Sequence, residues 1–168
     1  MSKSNFRPIQ YCKNRGFTLA EVLVVVAIAG ILTAVAVPSF GPFIAGQRIK
    51  SAAFDMMSTL TLARSEATKR NTDIVITPTG GNWQNGWTVA NAATTLSTQN
   101  ALKGLSIDCW SGAATATCPA SITYTNNGRL SVASPSFRMF NTTNTTSANT
   151  RCISVDLSGR PNSKKGNC

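Results

Sequence analysis

The stretch that decides the fold is GFTLAEVLVVVAIAGILTAVAV, residues 16–37. Residues 22–37 carry no charge, and Glu21 is the only charged residue in the whole stretch. About 20 such apolar residues can cross a bilayer as a helix, so we predict a transmembrane helix over residues 17–38. The preceding 16 residues hold four cations and no acid, which orients that short end toward the cytoplasm. Everything after the helix is therefore expected outside the cytoplasm.

A helical period continues past the apolar stretch and predicts an amphipathic second half of the same helix over residues 39–71. Apolar residues recur there at spacings of three and four, and most charged residues avoid those positions. Pro38 falls inside this helix and can kink it, and Asn71 is expected to end it. The predicted apolar stripe consists of Phe40, Phe43, Ile44, Ala53, Met56, Met57, Leu60, Ala63 and Ala67.

Residues 72–168 have the composition of short strands and turns, which predicts a β-rich globular head. The sequence NNG at residues 126–128 favours a hairpin turn. The polar stretches 91–100 and 141–150 are expected to be loops. Strand-like runs are found at residues 73–77, 86–90, 103–109, 121–125, 136–141 and 151–157.

The distribution of charged residues argues against an enzyme and is compatible with an anionic binding partner. Four of the 16 cations precede residue 17, so the rest of the chain carries 12 cations against six acids, a net charge of +6. Such a surface attracts anions without identifying one. The chain has no histidine, and its six acids are scattered singly. We therefore expect no catalytic residues and no cofactor.

Five cysteines are present, and four of them lie in the part of the chain expected outside the cytoplasm. An even set in a small exported domain favours two disulfides. Three pairings are possible, and we favour Cys109–Cys118 with Cys152–Cys168 because each closes a short loop of small and polar residues. The spacings lack the close cysteine pair typical of zinc sites, so no metal is expected.

The motif GFTLAE at residues 16–21, with cations before it and an apolar run after it, resembles the class III prepilin signal of type IV pilins and type II secretion pseudopilins. The resemblance implies that a prepilin peptidase removes residues 1–16 by cutting after Gly16. It also implies N-methylation of the new terminus, Phe17, and retention of the helix as an inner-membrane anchor. The mature subunit would then move from the inner membrane to the cell surface.

Glu21 is the candidate assembly residue. A carboxylate within a membrane helix is costly, by about 2.5–3.5 kcal/mol at the bilayer centre, and therefore needs a partner. The resemblance implies that the partner is the N-terminal amine of a neighbouring pilin, so that helix packing in the filament core has one register. Other major or minor pilins are thus the expected partners of residues 17–38.

An ordinary secretory signal peptide is the alternative interpretation of the same stretch. The sequence AVA at residues 34–36 resembles a small-residue cleavage site after an apolar region. Under that hypothesis a soluble protein would begin near Val37. Glu21 within the would-be apolar region, and helical periodicity on both sides of the site, argue against it.

The head narrows the resemblance to the GspH/FimT group of minor pilins and pseudopilins. The resemblance implies an α+β fold, in which the long N-terminal helix packs on an antiparallel β-rich pilin-like head. It implies a minor pilin that primes or caps a type IV pilus, with an H-type pseudopilin of type II secretion as the alternative. We expect Trp83 and Trp87 to pack over the helix. The motifs that carry the resemblance are LARSEA (62–67), KRN (69–71), Trp83, Gly86-Trp87, Gly128-Arg129 and Ser158-Gly159-Arg160.

DNA binding is a further expectation, because some FimT-like minor pilins bind DNA through a C-terminal Gly-Arg-x-Arg motif. The corresponding stretch here, residues 159–162, departs from that motif since Asn162 stands at the second arginine position. A loop held by Cys152–Cys168 would still gather cations that contact the phosphates of double-stranded DNA without reading its sequence. The expected DNA-binding residues are Arg151, Arg160, Lys164 and Lys165.

Overall fold

The computed structural model describes residues 16–112, 114–142 and 150–168. The predicted leader lies outside these residues except for Gly16, as does most of the predicted loop 141–150. The chain divides into two compact units, one ending at Phe40 and the other formed by Gly41–Cys168. The described elements are helix α1 (Leu19–Arg70) and strands β1 (Ile74–Pro78), β2 (Trp87–Ala90), β3 (Thr95–Gln99), β4 (Leu105–Ser111), β5 (Ala114–Ala116), β6 (Ile122–Tyr124), β7 (Ser136–Asn141), β8 (Arg151–Val155) and β9 (Pro161–Lys165), with 3-10 turns at Thr79–Gly81 and Trp83–Asn85.

The first half of α1 exposes its apolar side chains. Its segment Leu19–Ala36 is long and apolar enough to cross a membrane, and none of it is buried within the chain. Among its larger side chains Val22 is 51% exposed and Val35 is 73% exposed. Apolar surface of this extent marks a region that lipid or another protein covers. The helix also runs unbroken through residues 34–36, the alternative cleavage site.

The second half of α1 buries a stripe against the sheets, as the periodicity predicts. The stripe begins later than predicted, however, because the head's core starts at Ile49. Phe40, Phe43 and Ile44, predicted to belong to the stripe, are instead 55%, 64% and 48% exposed. The buried members are Ile49, Ala52, Ala53, Met56, Leu60, Ala63 and Ala67.

The helix ends where the sequence predicts. Asn71 adopts a left-handed conformation with φ of 50°, and Thr72 N donates to Ala67 O at 3.2 Å. This is the Schellman arrangement that stops an α-helix, and asparagine tolerates the left-handed position better than most residues do. Asn126 Nδ2 also donates to Asn71 Oδ1 at 3.2 Å, so the 126–128 turn is tied to the helix end.

Two antiparallel sheets complete the core with α1. The first has the strand order β3-β2-β1-β6 and the second has the order β5-β4-β7-β8-β9. In β1, β2, β4, β6 and β7 buried residues alternate with more exposed ones, which places one face of each strand on the core. The predicted α+β fold, a long helix on an antiparallel β-rich head, is confirmed.

Three strands were not predicted. β3 lies in the stretch expected to be the 91–100 loop, and β5 and β9 lie in stretches given no strand. All three are edge strands of their sheets. Edge strands need little apolar side-chain surface, and polar and charged residues are common on them. Their sequences, TLSTQ, ATA and PNSKK, therefore lack the alternation that identifies a central strand.

The predicted packing on the helix is confirmed for Trp87, and Trp83 is buried beside it. Trp83 and Trp87 are 2% and 0% exposed. Trp87 Nε1 donates to Thr59 Oγ1 on α1 at 3.1 Å, and Trp83 Nε1 donates to Pro119 O at 2.9 Å. The polar atom of each indole is thus satisfied within the core, as buried tryptophans require.

Candidate functional site

The start of α1 is organised by Glu21. Its Oε2 accepts hydrogen bonds from Thr18 N at 2.8 Å and from Thr18 Oγ1 at 2.9 Å, while Glu21 N donates to Thr18 Oγ1 at 3.3 Å. This reciprocal pattern is a capping box, which satisfies backbone donors that a helix start leaves free. Phe17, one residue before it, is 87% exposed.

The capping box leaves the charge of Glu21 without a counter-ion among the described residues, whose ion pairs involve other acids. Thr18 supplies hydrogen bonds but no positive charge. A carboxylate in this position is therefore both a local helix cap and an available partner for a cation from outside the chain.

The cysteines form the two favoured pairs. Cys109 bonds to Cys118 and Cys152 bonds to Cys168, each with a Cα–Cα distance of 5.1 Å. The first bridge fastens β4 to the segment after β5. The second fastens β8 to Cys168, and β9 lies between these two bonded cysteines in the sequence.

The region predicted to be a cationic loop is a β-hairpin formed by β8 and β9. Arg151 stands opposite Lys165, and Cys152 stands opposite Lys164. Arg151 also stands opposite the buried Met139 of β7. Because cross-strand partners share a face, Arg151 and Lys165 project on the core side, whereas Lys164 projects on the opposite side.

Arg160 lies at the other end of the same hairpin. It precedes β9, five residues from Lys165, which corresponds to about 17 Å of extended strand. Its backbone N donates to Asp156 Oδ1 at 2.9 Å. Hydrogen bonds from Ser158 and from this backbone N–H hold the pKa of the Asp156 carboxyl below its usual value. A negatively charged carboxylate therefore lies next to Arg160. The four predicted cations therefore do not form one surface.

Two Gly-Arg pairs meet instead, a contact that the sequence did not predict. The position of a Cβ on Gly159 would be 2.2 Å from Gly128 O and 2.9 Å from Tyr124 Cε1. Tyr124 OH donates to Gly159 O at 3.2 Å, and burial raises the pKa of Tyr124 to about 12, so this donor keeps its proton. Arg64 Nε donates to Gly128 O at 3.2 Å.

The arginines that follow these glycines are both exposed. Since Gly128 and Gly159 are in contact, Arg129 and Arg160 leave the head from neighbouring turns. No spacing rule in the sequence could have joined residues 31 positions apart. The repeated Gly-Arg dipeptide was the sequence feature that could have indicated this contact. We refer to the two contacting turns, Gly128-Arg129 and Gly159-Arg160, as the Gly-Arg corner.

Two family models match the chain. The model described as Type II transport protein GspH matches residues 52–159, which contain α1 from Ala52 onward and most of both sheets. The model described as Prokaryotic N-terminal methylation motif matches residues 11–37, which contain Gly16, Phe17 and Glu21. The two matches do not overlap and together cover most of the chain.

Known proteins resemble the chain in sequence and in fold. The Type IV major pilin protein PilA of Myxococcus xanthus is 35% identical over 107 residues, which is 60% of this chain and 46% of that protein. The type IV minor pilin FimU of Pseudomonas aeruginosa matches with a TM-score of 0.58 and 20% identity over 70% of this chain and 89% of its own. The minor pseudopilin EpsH of the Vibrio cholerae Type 2 Secretion System matches with a TM-score of 0.52 and 14% identity over 70% and 97%.

Proposed function

This chain belongs to the GspH family of type II transport proteins, and from that premise we propose that it is a minor pilin that helps to prime or cap a type IV pilus. Membership of this pilin-like and pseudopilin-like family supports a structural role.

One observation carries the proposal, namely the continuity of α1. A single helix joins an apolar segment, Leu19–Ala36, to the buried stripe of the head. The exposed apolar half needs lipid before assembly and neighbouring helices afterwards, because its side chains are as apolar as a lipid tail. A protein built this way can pass from a bilayer into a helical bundle without refolding its head.

Processing completes the proposal. A prepilin peptidase cuts after Gly16, Phe17 becomes the methylated terminus, and the head lies in the periplasm while the helix anchors it in the inner membrane. The match to the N-terminal methylation model supports this step. Within the filament, residues 17–38 then pack against the corresponding helices of other pilins.

An H-type pseudopilin of a type II secretion system is the alternative, and the solved relatives include both kinds of subunit. The basic charge and the Gly159-Arg160 corner favour the pilus. Deletion of the gene decides between them. We expect the deletion strain to lose most surface pili, measured by shearing and immunoblotting, while secreting exoproteins at the level of the parent. Normal piliation with exoproteins retained in the periplasm would establish the pseudopilin role instead.

DNA binding is a second candidate function, supported by the contact between Gly128 and Gly159. The two exposed arginines beside this contact, Arg129 and Arg160, can reach neighbouring phosphates of one duplex. Phosphate contacts of this kind give binding that depends on salt and not on sequence.

A gel shift of double-stranded DNA with the mature protein in uncharged detergent tests this function. We expect R129A/R160A to weaken binding about tenfold or more, and the slope of log affinity against log salt to fall by roughly two, one for each lost phosphate contact. The control is K50A/K165A, which removes equal charge elsewhere on the head. An equal loss in both variants would mean that only net charge matters, and no shift of the parent at low salt would end the hypothesis.

A further inference from the structure

A cationic cleft lies between the first turns of α1 within the head and the open end of the β8–β9 hairpin. Its volume is about 220 Å³. Lys50 lines it from the helix, and Arg151 and Lys165 line it from the hairpin. The strand register explains this arrangement, because Arg151 and Lys165 are cross-strand partners on the side of the sheet that faces the core.

The three cations have no acidic counterpart in the described part of the chain. The ion pairs found there join Glu66 to Lys69 and Arg70, and Asp108 to Arg138. Three positive side chains line this cleft, and an anion that enters it is attracted by all of them. The cleft is therefore electrostatically suited to an anionic group.

Apolar side chains adjoin the cations at one end of the cleft. Phe43 lines it, and Phe43 and Ile44 are 64% and 48% exposed. Lys50 follows Ile44 by six residues, which is about 9 Å of helix, and a flexible lysine side chain can cover much of that distance. Apolar and cationic side chains thus adjoin in this cleft, the combination that the acyl chains and the headgroup of an anionic lipid require.

We propose that this cleft binds the headgroup of an anionic phospholipid, which holds the head on the membrane surface until the subunit enters a filament. The proposal rests on the membrane-anchored orientation proposed above. That orientation puts these cations beyond the exported end of the span, where the positive-inside rule disfavours them. A surface of anionic lipid gives them a partner on that side, because basic residues next to a span bind such surfaces.

Native mass spectrometry of the mature protein in uncharged detergent tests the proposal. The protein is titrated with phosphatidylglycerol and, separately, with phosphatidylcholine. We expect tight retention of phosphatidylglycerol, weakened about 100-fold in K50Q/R151Q/K165Q, because each cation near an anionic surface contributes about fivefold. The matched control, R129Q/R160Q/K164Q, removes the same charge elsewhere and is expected to bind as the parent does.

Several outcomes would overturn the proposal. Equal retention of the two lipids, or an equal loss in both triple variants, would mean that no specific cleft exists. Displacement of the lipid by inorganic phosphate at matched concentration would mean a general anion site, and DNA binding that depends on the same three cations would mean a nucleic-acid site. The single variants K50Q and K165Q, at exposed positions, provide the same readout if the triple variant misfolds. Because retention is measured in detergent, the result is independent of whether the deletion strain lacks pili.

Discussion

G159A is expected to destabilise the head by about 4 kcal/mol or more, a large part of the roughly 5–15 kcal/mol that stabilises a typical domain. The backbone φ of Gly159 is 80°, a conformation that costs other residues about 1–2 kcal/mol. In addition, the new Cβ would overlap Gly128 O at 2.2 Å. Relief of that overlap separates the two turns and breaks the hydrogen bond of Tyr124 OH, and an unsatisfied buried group costs about 1–3 kcal/mol.

G81A separates these contributions, because Gly81 has a φ of 78° and no atom within 4 Å of its would-be Cβ. It should carry the backbone cost alone, about 1–2 kcal/mol. Urea unfolding of the mature protein in detergent, followed through the fluorescence of the buried Trp83 and Trp87, measures both variants. Equal destabilisation by G159A and G81A would contradict the tight contact between Gly128 and Gly159.

Features with local physical causes were predictable from the sequence. The span of α1 follows from its apolar run and its later period of three and four, and its end follows from an asparagine that tolerates φ above zero. The tryptophans beside a turn were expected to pack on the helix, and Trp87 does so. The cysteine pairs follow from short loops, since nearby cysteines close a loop at the smallest entropic cost.

Features that depend on strand order were not predictable. β9 has the sequence PNSKK, which resembles a solvated loop, and only its pairing with β8 makes it a strand. Because of that pairing, Lys165 and Lys164 project from opposite faces of the second sheet, although they are adjacent in the sequence. Likewise, the contact of Gly128 with Gly159 joins turns from two sheets, and no local pattern encodes it.

Substitution of Glu21 is expected to have the largest effect on assembly. E21A should lower the amount of this subunit in sheared filaments at least tenfold relative to the membrane pool. The change removes the capping interaction with Thr18, worth about 1 kcal/mol. If Glu21 pairs with the terminal amine of a neighbouring subunit, as we propose, the change also leaves that amine without its anion. Loss of one partner of a buried ion pair costs about 3–5 kcal/mol, so the second effect should dominate.

Two conservative variants distinguish the charge of Glu21 from its role as a cap. E21Q can still accept the hydrogen bonds of Thr18, because glutamine serves in a capping box, but it carries no charge. T18V removes the side-chain part of the cap and keeps the carboxylate. If charge pairing sets the register of the filament core, E21Q should fail as severely as E21A and T18V should assemble nearly as the parent does. The reverse order, with E21Q assembling and T18V failing, would make Glu21 a helix cap alone and would remove the electrostatic basis for docking between subunits.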